Sequence, residues 1–326
     1  MKALRVISLD GVIACGIEAL PVPQAGAGEV LIRARWSSVN YKDALAATGA
    51  GKIMKSLPMT GGVDVAGTVE ASGDARFKPG DAVLVTGYGL GVEQDGGFAE
   101  YVCVPAGWVV PLPEGLTAFQ TMALGTAGFT AGLAVMKMEH MGLTPGTGPV
   151  LVSGATGGVG SLAVDMLAGR GYEVVAISGK PEQAAYLTSL GAARVLDRKA
   201  LDMGTRPLEK AQWAGAVDTV GGALLGWMTR SMAYRGVIAA CGLAGGVELN
   251  TTVMPFILRG VSLLGIDSVA CPMTERLEVW RRLASDLKPR QLESGIARTV
   301  ALDNLPGVFQ GFMTGSVTGR TVVDLG

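Results

Sequence analysis

Short runs in which apolar and polar residues alternate fill the first part of the chain. They predict β-strands at 2–7, 12–17 and 29–34, with breaks at Asp10-Gly11 and across 21–28. The stretch 59–70 is apolar and carries Gly61, Gly62 and Gly67, a spacing that predicts close backbone approach or bulges. Phe77-Lys78-Pro79-Gly80-Asp81 reads as a turn into a strand at 82–86. Further strands are predicted at 98–104 and 108–112. One short helix is expected over 41–47, with Asn40 as its N-cap. Many short strands and one small helix predict a compact, barrel-like β domain.

The period changes after Pro113-Glu114-Gly115. Helical spacing runs from Thr117 through Leu124 and again over 129–138, and from Val150 onward strand and helix alternate. Strands are predicted at 150–153, 173–178, 194–196, 216–219, 236–240 and 261–265, with helices at 158–169, 181–190 and 223–232. Repeated βα units predict a doubly wound parallel sheet with right-handed crossovers, so the fold class is α/β with a second, β-rich domain. After a helix near 274–287, strand-like text returns at 297–301 and 320–324. The expected division is 1–124 rejoined by 290–326, with 125–289 between them.

The most informative stretch is Val150-Leu151-Val152-Ser153-Gly154-Ala155-Thr156-Gly157-Gly158-Val159-Gly160. An apolar strand ends in a glycine-dense turn and opens a helix, the context a dinucleotide fingerprint requires. Glycines let the backbone approach a pyrophosphate, and the N–H groups of the helix's first turn face the anion. A tight strand-to-helix turn favours glycine for purely structural reasons too, so the next strand carries the decision. Its tip reads Ser178-Gly179-Lys180, without the acidic residue that would bind an adenosine ribose in an NAD site. Ser178 and Lys180 instead offer a donor and a positive charge, and Arg198 follows the neighbouring strand. Those groups suit a 2′-phosphate, so the expected cofactor is NADPH. Glu182 is the competing ribose ligand if the turn folds back.

Length and charge narrow the classes further. At 326 residues, two domains are expected, and a net charge of −1 gives no electrostatic reason for a nucleic-acid or anionic-membrane partner. No uninterrupted apolar run reaches the roughly 18–20 residues of a spanning helix. Cys15, Cys103, Cys241 and Cys271 form no C-x-x-C pair, which suits reduced thiols in a cytoplasm. His140 is the single histidine, so a three-ligand catalytic zinc or a Ser-His-Asp triad is not expected.

These features resemble the zinc-independent medium-chain dehydrogenase/reductases, and within them the NADPH-dependent acrylyl-CoA reductase group, over nearly the whole chain. The resemblance is carried by Ser38-Val39-Asn40-Tyr41-Lys42-Asp43-Ala44-Leu45, by Gly125-Thr126-Ala127-Gly128-Phe129-Thr130-Ala131 and by the fingerprint turn. Cys241-Gly242-Leu243-Ala244-Gly245-Gly246, the run from Thr252 to Val261 and Gly265-Ile266-Asp267-Ser268 complete it. Zinc-dependent relatives carry a His-Glu pair where this chain reads Val63-Asp64.

The resemblance implies a GroES-like β-barrel domain and a Rossmann-type domain, with the nicotinamide held between them. It implies cofactor contacts from Tyr41, Thr156, Gly157, Gly158, Val159, Ser178, Gly179, Lys180, Arg198, Leu243, Ile266, Ser268 and Arg320. Thr126 is expected either to orient the nicotinamide or only to cap its helix. Tyr41 is the candidate catalytic residue, as a hydroxyl donor or as an aromatic wall, and Asp64 is a candidate anchor behind it. The implied reaction is hydride transfer to the β-carbon of an α,β-unsaturated acyl-CoA. Reduction of a quinone or enal, and NADPH binding without catalysis, are the alternatives. Lys42, Lys52, Lys55 and Arg320 are the basic candidates for a CoA handle. A homodimer is expected through the edge strand at 261–265, with Leu263 on its surface.

Overall fold

The structure, a computed structural model, describes all residues Met1–Gly326. Contacts divide the chain into two units: Met1–Thr126 with Val269–Ala284 and Leu292–Gly326, and Ala127–Ser268 with Ser285–Gln291.

The first unit is built from two antiparallel-rich sheets. A seven-stranded sheet runs in the order Ala297–Ala301, Arg320–Asp324, Glu29–Val39, Asp64–Ser72, Ala82–Thr86 and Val110–Pro111, with Tyr101–Pro105 also paired to Glu29–Val39. A three-stranded sheet is formed by Val12–Ala19, Lys2–Leu9 and Met59–Thr60. Apolar positions facing inward on these strands, among them Leu4, Ile32, Val65, Val85, Phe98 and Val104, make one continuous core. The C-terminal strand belongs to this unit because Thr321 pairs with Val39 and Val323 with Ser37. Trp108–Leu112 was expected as one strand, but Ala106–Trp108 is a 3-10 turn and only Val110–Pro111 pairs. Proline has no N–H for a ladder, which limits that strand to an edge.

The second unit is a six-stranded parallel sheet in the order Arg194–Asp197, Val174–Ser178, Val150–Val152, Trp213–Asp218, Met232–Ala240 and Ser262–Gly265. Numbered along the chain this is 3-2-1-4-5-6, the dinucleotide-binding order. Its central strands are apolar on both faces, as a sheet covered by helices requires. The carboxyl ends of the strands therefore line up along one edge, where ligands of such sheets bind.

The partition differs from the expected one at 269–284. The helix Met273–Leu283 groups with the first unit, because Arg276 is fully buried there and its Nη1 donates to Thr86 O at 2.8 Å and Oγ1 at 3.0 Å. The Arg276 guanidinium also lies 4.3 Å from the centre of the Tyr88 ring. Conversely, buried Asp165 ties 285–291 to the second unit by accepting from the backbone N–H of Arg290 (3.0 Å) and Gln291 (2.7 Å). The helix Ala118–His140 is long and apolar enough to cross a membrane by composition, yet 83% of its apolar window is buried inside the protein. It is also broken at Gly125, whose φ 54°, ψ −158° is not helical.

Candidate active site

In the second unit the fingerprint turn is shaped by close backbone packing. Gly154 has φ +56°, and a Cβ there would fall 2.2 Å from Thr219 Oγ1. A Cβ on Gly160 would fall 2.3 Å from the Gly154 carbonyl oxygen. Both positions thus admit only glycine. The helix Gly158–Gly169 starts from an extended Gly157, and no side chain caps it. The first-turn N–H groups are therefore not taken up by a capping side chain, which leaves them suited to an anion. Thr156 is buried in the turn, while Gly157, Gly158 and Val159 are half-buried at its rim.

Asp218 anchors this turn and was missed in the sequence. Its Oδ1 accepts from Ser153 Oγ (2.6 Å) and its Oδ2 from the Gly221 N–H (2.8 Å), joining the ends of two neighbouring strands. A buried acid closing the apolar strand Trp213–Asp218 was the available signal.

The strand tips bring the expected phosphate ligands together. Ser178 pairs in register with Asp197, so Arg198 follows directly beside Gly179. A Cβ on Gly179 would lie 3.4 Å from Arg198 Nη2, which puts the guanidinium against that glycine's backbone. Ser178 Oγ accepts the Lys180 N–H at 3.0 Å, leaving its own proton to donate elsewhere. Burial lowers the Lys180 pKa, against a raising effect of Glu182. Asp197 turns its carboxylate onto the Lys199 N–H (2.9 Å).

Farther along the same edge, Leu243 follows the strand Met232–Ala240 and is 64% exposed, while Ile266 is buried just past Ser262–Gly265. Ser268 Oγ accepts from Thr130 Oγ1 at 2.8 Å. Thr130, part of the Gly125–Ala131 motif, thus fixes by its hydroxyl a residue expected to touch the cofactor.

In the first unit the centre is Asp64, fully buried at the start of the strand Asp64–Ser72. Its Oδ2 accepts from Ser38 Oγ (2.7 Å), Asn40 Nδ2 (2.7 Å) and the Thr126 N–H (2.9 Å), and its Oδ1 accepts from Thr126 Oγ1 (2.5 Å). Arg320 lies 3.8 Å from Oδ2 and is 2% exposed. Its guanidinium donates to Ser38 Oγ (2.8 Å), the Val39 carbonyl (3.0 Å), Asn40 Oδ1 (3.2 Å) and the Ala123 carbonyl (3.2 Å). Burial lowers the Arg320 pKa, while Asp64 and Asp43 raise it. The structure thus makes Arg320 a brace of this cluster rather than a basic residue at a pocket mouth.

Asn40 opens the helix Tyr41–Thr48, and its N–H is accepted by Asp43 Oδ2 at 2.8 Å. Burial pushes the Asp43 carboxyl up to about 7, although the Asn40 and Val63 N–H donors favour its charged form. Tyr41 stands on the first turn of that helix and is 48% exposed. At the helix's other end, Ala46, Gly49, Lys52 and Lys55 border a cavity of about 360 Å³. No three His, Cys, Asp or Glu side chains converge where they could hold a metal.

Residues 26–114 match the family model of the alcohol dehydrogenase GroES-like domain, and residues 158–285 that of the zinc-binding dehydrogenase. The acrylyl-CoA reductase AcuI of Ruegeria pomeroyi is 50% identical over 317 residues, covering 97% of this chain and 96% of that protein. The chain belongs to the zinc-independent medium-chain dehydrogenase/reductases. Two solved members of similar size superpose on this reductase throughout. The YhdH oxidoreductase from Salmonella enterica in complex with NADP is 48% identical with a TM-score of 0.97, covering 100% of both chains. The Bacillus subtilis protein YhfP with NAD bound is 47% identical with a TM-score of 0.96, covering 99% of both. The GroES-like and Rossmann-type domains expected for this reductase are therefore present.

Proposed function

We propose that this oxidoreductase uses NADPH to reduce the C=C bond of an α,β-unsaturated acyl-CoA thioester, converting acrylyl-CoA to propionyl-CoA. The observation that carries this reading is the near-full-length match to an acrylyl-CoA reductase, joined to a phosphate-ready strand tip. The turn from Gly154 to Val159 suits a pyrophosphate, because it opens a helix whose start carries no capping side-chain hydrogen bond and whose glycines keep the backbone bare. Ser178, Gly179, Lys180 and Arg198 would hold the 2′-phosphate, and Leu243, Ile266 and Ser268 the nicotinamide half. When bound, NADPH supplies the hydride that adds to the β-carbon. The residues then have to meet the charge that develops on the thioester oxygen. The exposed Tyr41 hydroxyl is the donor of the right type, with its ring as the alternative contribution.

A steady-state assay with acrylyl-CoA, crotonyl-CoA and a simple quinone tests this reading. Acrylyl-CoA is expected to have the highest kcat/KM, and a quinone preference would instead favour the quinone reductase reading. The CoA handle gives a second check. A helix of eight residues is about 12 Å long, so Tyr41 and the cavity beside Lys52 are separated by a distance that a pantetheine arm can span. Lys55 already pairs with Glu93, which leaves Lys52 as the clearer phosphate ligand. Lys52→Ala is expected to raise KM for acrylyl-CoA roughly tenfold or more, as one lost charge-assisted phosphate contact would, with quinone KM unchanged. Equal effects on both substrates would remove Lys52 from CoA binding.

The reading includes a homodimer in the cytoplasm. All four cysteines are free thiols, which suits that compartment. Ser262–Gly265 is an edge strand, and the helix Met254–Arg259, which precedes it, exposes Ile257 (72%) just after exposed Val253. An apolar edge of this kind invites a second copy related by a two-fold axis. Leu263 packs against the core with Ile238, so Leu263→Lys would damage the fold as well as the surface. Ile257→Lys is the cleaner variant. Light scattering at micromolar concentration is expected to give a dimer for the parent protein and a monomer for Ile257→Lys; a parent monomer ends the proposal.

A further inference from the structure

The Arg198 side chain is exposed and makes no hydrogen bond or ion pair within the protein. An unrestrained arginine samples many rotamers, and fixing one of them on a ligand costs entropy. Its place here is nevertheless specific. A Cβ on Gly179 would lie 3.4 Å from Arg198 Nη2, 3.5 Å from Nε and 3.6 Å from Cζ, so the flat guanidinium lies against that glycine. The residue before it supplies a second restraint. Asp197 is the N-cap of the 3-10 turn Arg198–Ala200, with φ −74°, ψ 119° and its Oδ1 accepting the Lys199 N–H at 2.9 Å. Parallel pairing of Ser178 with Asp197 sets this cap level with the neighbouring strand tip. The strand ends at the cap, so the direction in which Arg198 leaves the sheet is set there.

By its charge alone, Asp197 is misplaced. An acid beside a phosphate site repels the ligand, and this one stands one strand over from where an NAD site carries its ribose acid. Its short side chain, however, closes the turn from which Arg198 projects. We propose that Asp197 is a positioning residue for cofactor choice, which caps the turn and so holds the Arg198 guanidinium over Gly179 for the 2′-phosphate of NADPH. The proposal rests on the NADPH reading above. Charge and cap act in opposite directions, which makes them separable. Removing the charge favours the phosphate, whereas removing the cap releases the arginine that meets it.

The test is the ratio of the NADH and NADPH dissociation constants, measured by fluorescence titration without any substrate. Asp197→Asn keeps a capping oxygen and drops the charge, so its preference for NADPH is expected to equal or exceed that of the parent protein. Asp197→Ala drops both, and its preference is expected to fall roughly three- to tenfold below that of Asp197→Asn, part of one charge-assisted phosphate contact. Asp197→Glu keeps the charge but carries the carboxylate one methylene too far to close the same turn, and is expected to fall below the parent. NADH binding should stay within about twofold in all three, which a general loss of structure would not allow. With Arg198→Ala in the background, Asp197→Ala and Asp197→Asn are expected to behave alike, because the cap then has nothing to position. Equal preferences of Asp197→Ala and Asp197→Asn when Arg198 is present, or a difference that persists without it, overturn the proposal. If Asp197→Ala fails to fold, Asp197→Glu against the parent decides, and an unchanged preference there overturns it. Parent protein that binds NADPH and NADH equally would instead overturn the cofactor assignment.

Discussion

Alanine at both Lys180 and Arg198 is expected to cut the preference for NADPH over NADH by roughly 100-fold while leaving NADH binding within about threefold. A charge-assisted contact to a phosphate contributes about 1.5–3 kcal/mol, or roughly 10- to 150-fold in affinity. Two such groups act on one phosphate, so their effects should overlap rather than multiply. The arrangement supports this because Arg198 lies against Gly179 and because Asp197 is turned away onto the Lys199 N–H. NADH lacks the 2′-phosphate, so neither cation has a partner to lose. The measurement is the ratio of the two dissociation constants in the parent protein and the double variant. Equal binding of the two cofactors by the parent protein would sink the assignment, and a loss of affinity for both cofactors would assign the cations to the fold instead.

Gly125→Ala is expected to be strongly destabilising. The residue sits at φ 54°, ψ −158°, a combination open to glycine and strained for alanine. A Cβ there would lie 2.4 Å from Ser38 Oγ, 2.6 Å from Arg320 Nη2 and 2.6 Å from Asp64 Oδ2. The methyl group would thus enter the centre of the buried hydrogen-bond cluster. Backbone strain contributes about 1–3 kcal/mol, and displacing a member of a buried ion pair about 3–5 kcal/mol. A loss of about 4 kcal/mol or more corresponds to a fall in melting temperature of at least roughly 8 °C for a unit of this size. Gly107→Ala is the control, since nothing lies within 4 Å of its added Cβ. Melting of Gly125→Ala within about 2 °C of the parent protein would show that the cluster yields and that the kink is not required.

Much of the architecture was legible because its signals are local. Alternation and turn residues marked the strands of the first unit, and strand 82–86 was read at its observed bounds, Ala82–Thr86. The helix Gly158–Gly169 was equally clear, since its start is written in the glycine turn and its apolar positions repeat at helical spacing. The missing acid after Val174–Ser178 is likewise a local signal, and it is what the proposed phosphate site starts from. By contrast, the helix Met273–Leu283 is legible as a helix, but its contacts group it with the first unit rather than with the segment before it. Amphipathic spacing predicts that a face is buried, not which partner buries it. Only the fit of Arg276 against Thr86 and Tyr88 decides that.

The same limit explains the Asp64 cluster. The sequence marks Asp64 as a candidate anchor among apolar neighbours and Arg320 as a candidate cofactor or CoA contact, and neither expectation joins the two. The partners of Asp64 lie 26, 24 and 62 residues from it, and the Ser38–Arg320 bond spans 282 residues. The sequence by itself determined the strand-and-helix order, the glycine turn, the cationic strand tip and the scarcity of metal ligands, because each depends on neighbouring residues or on residue counts. The tertiary structure decided which hydroxyls donate, which cations are buried and which segment completes each unit. Those properties depend on directions and distances between groups far apart in the chain, and no local pattern carries them.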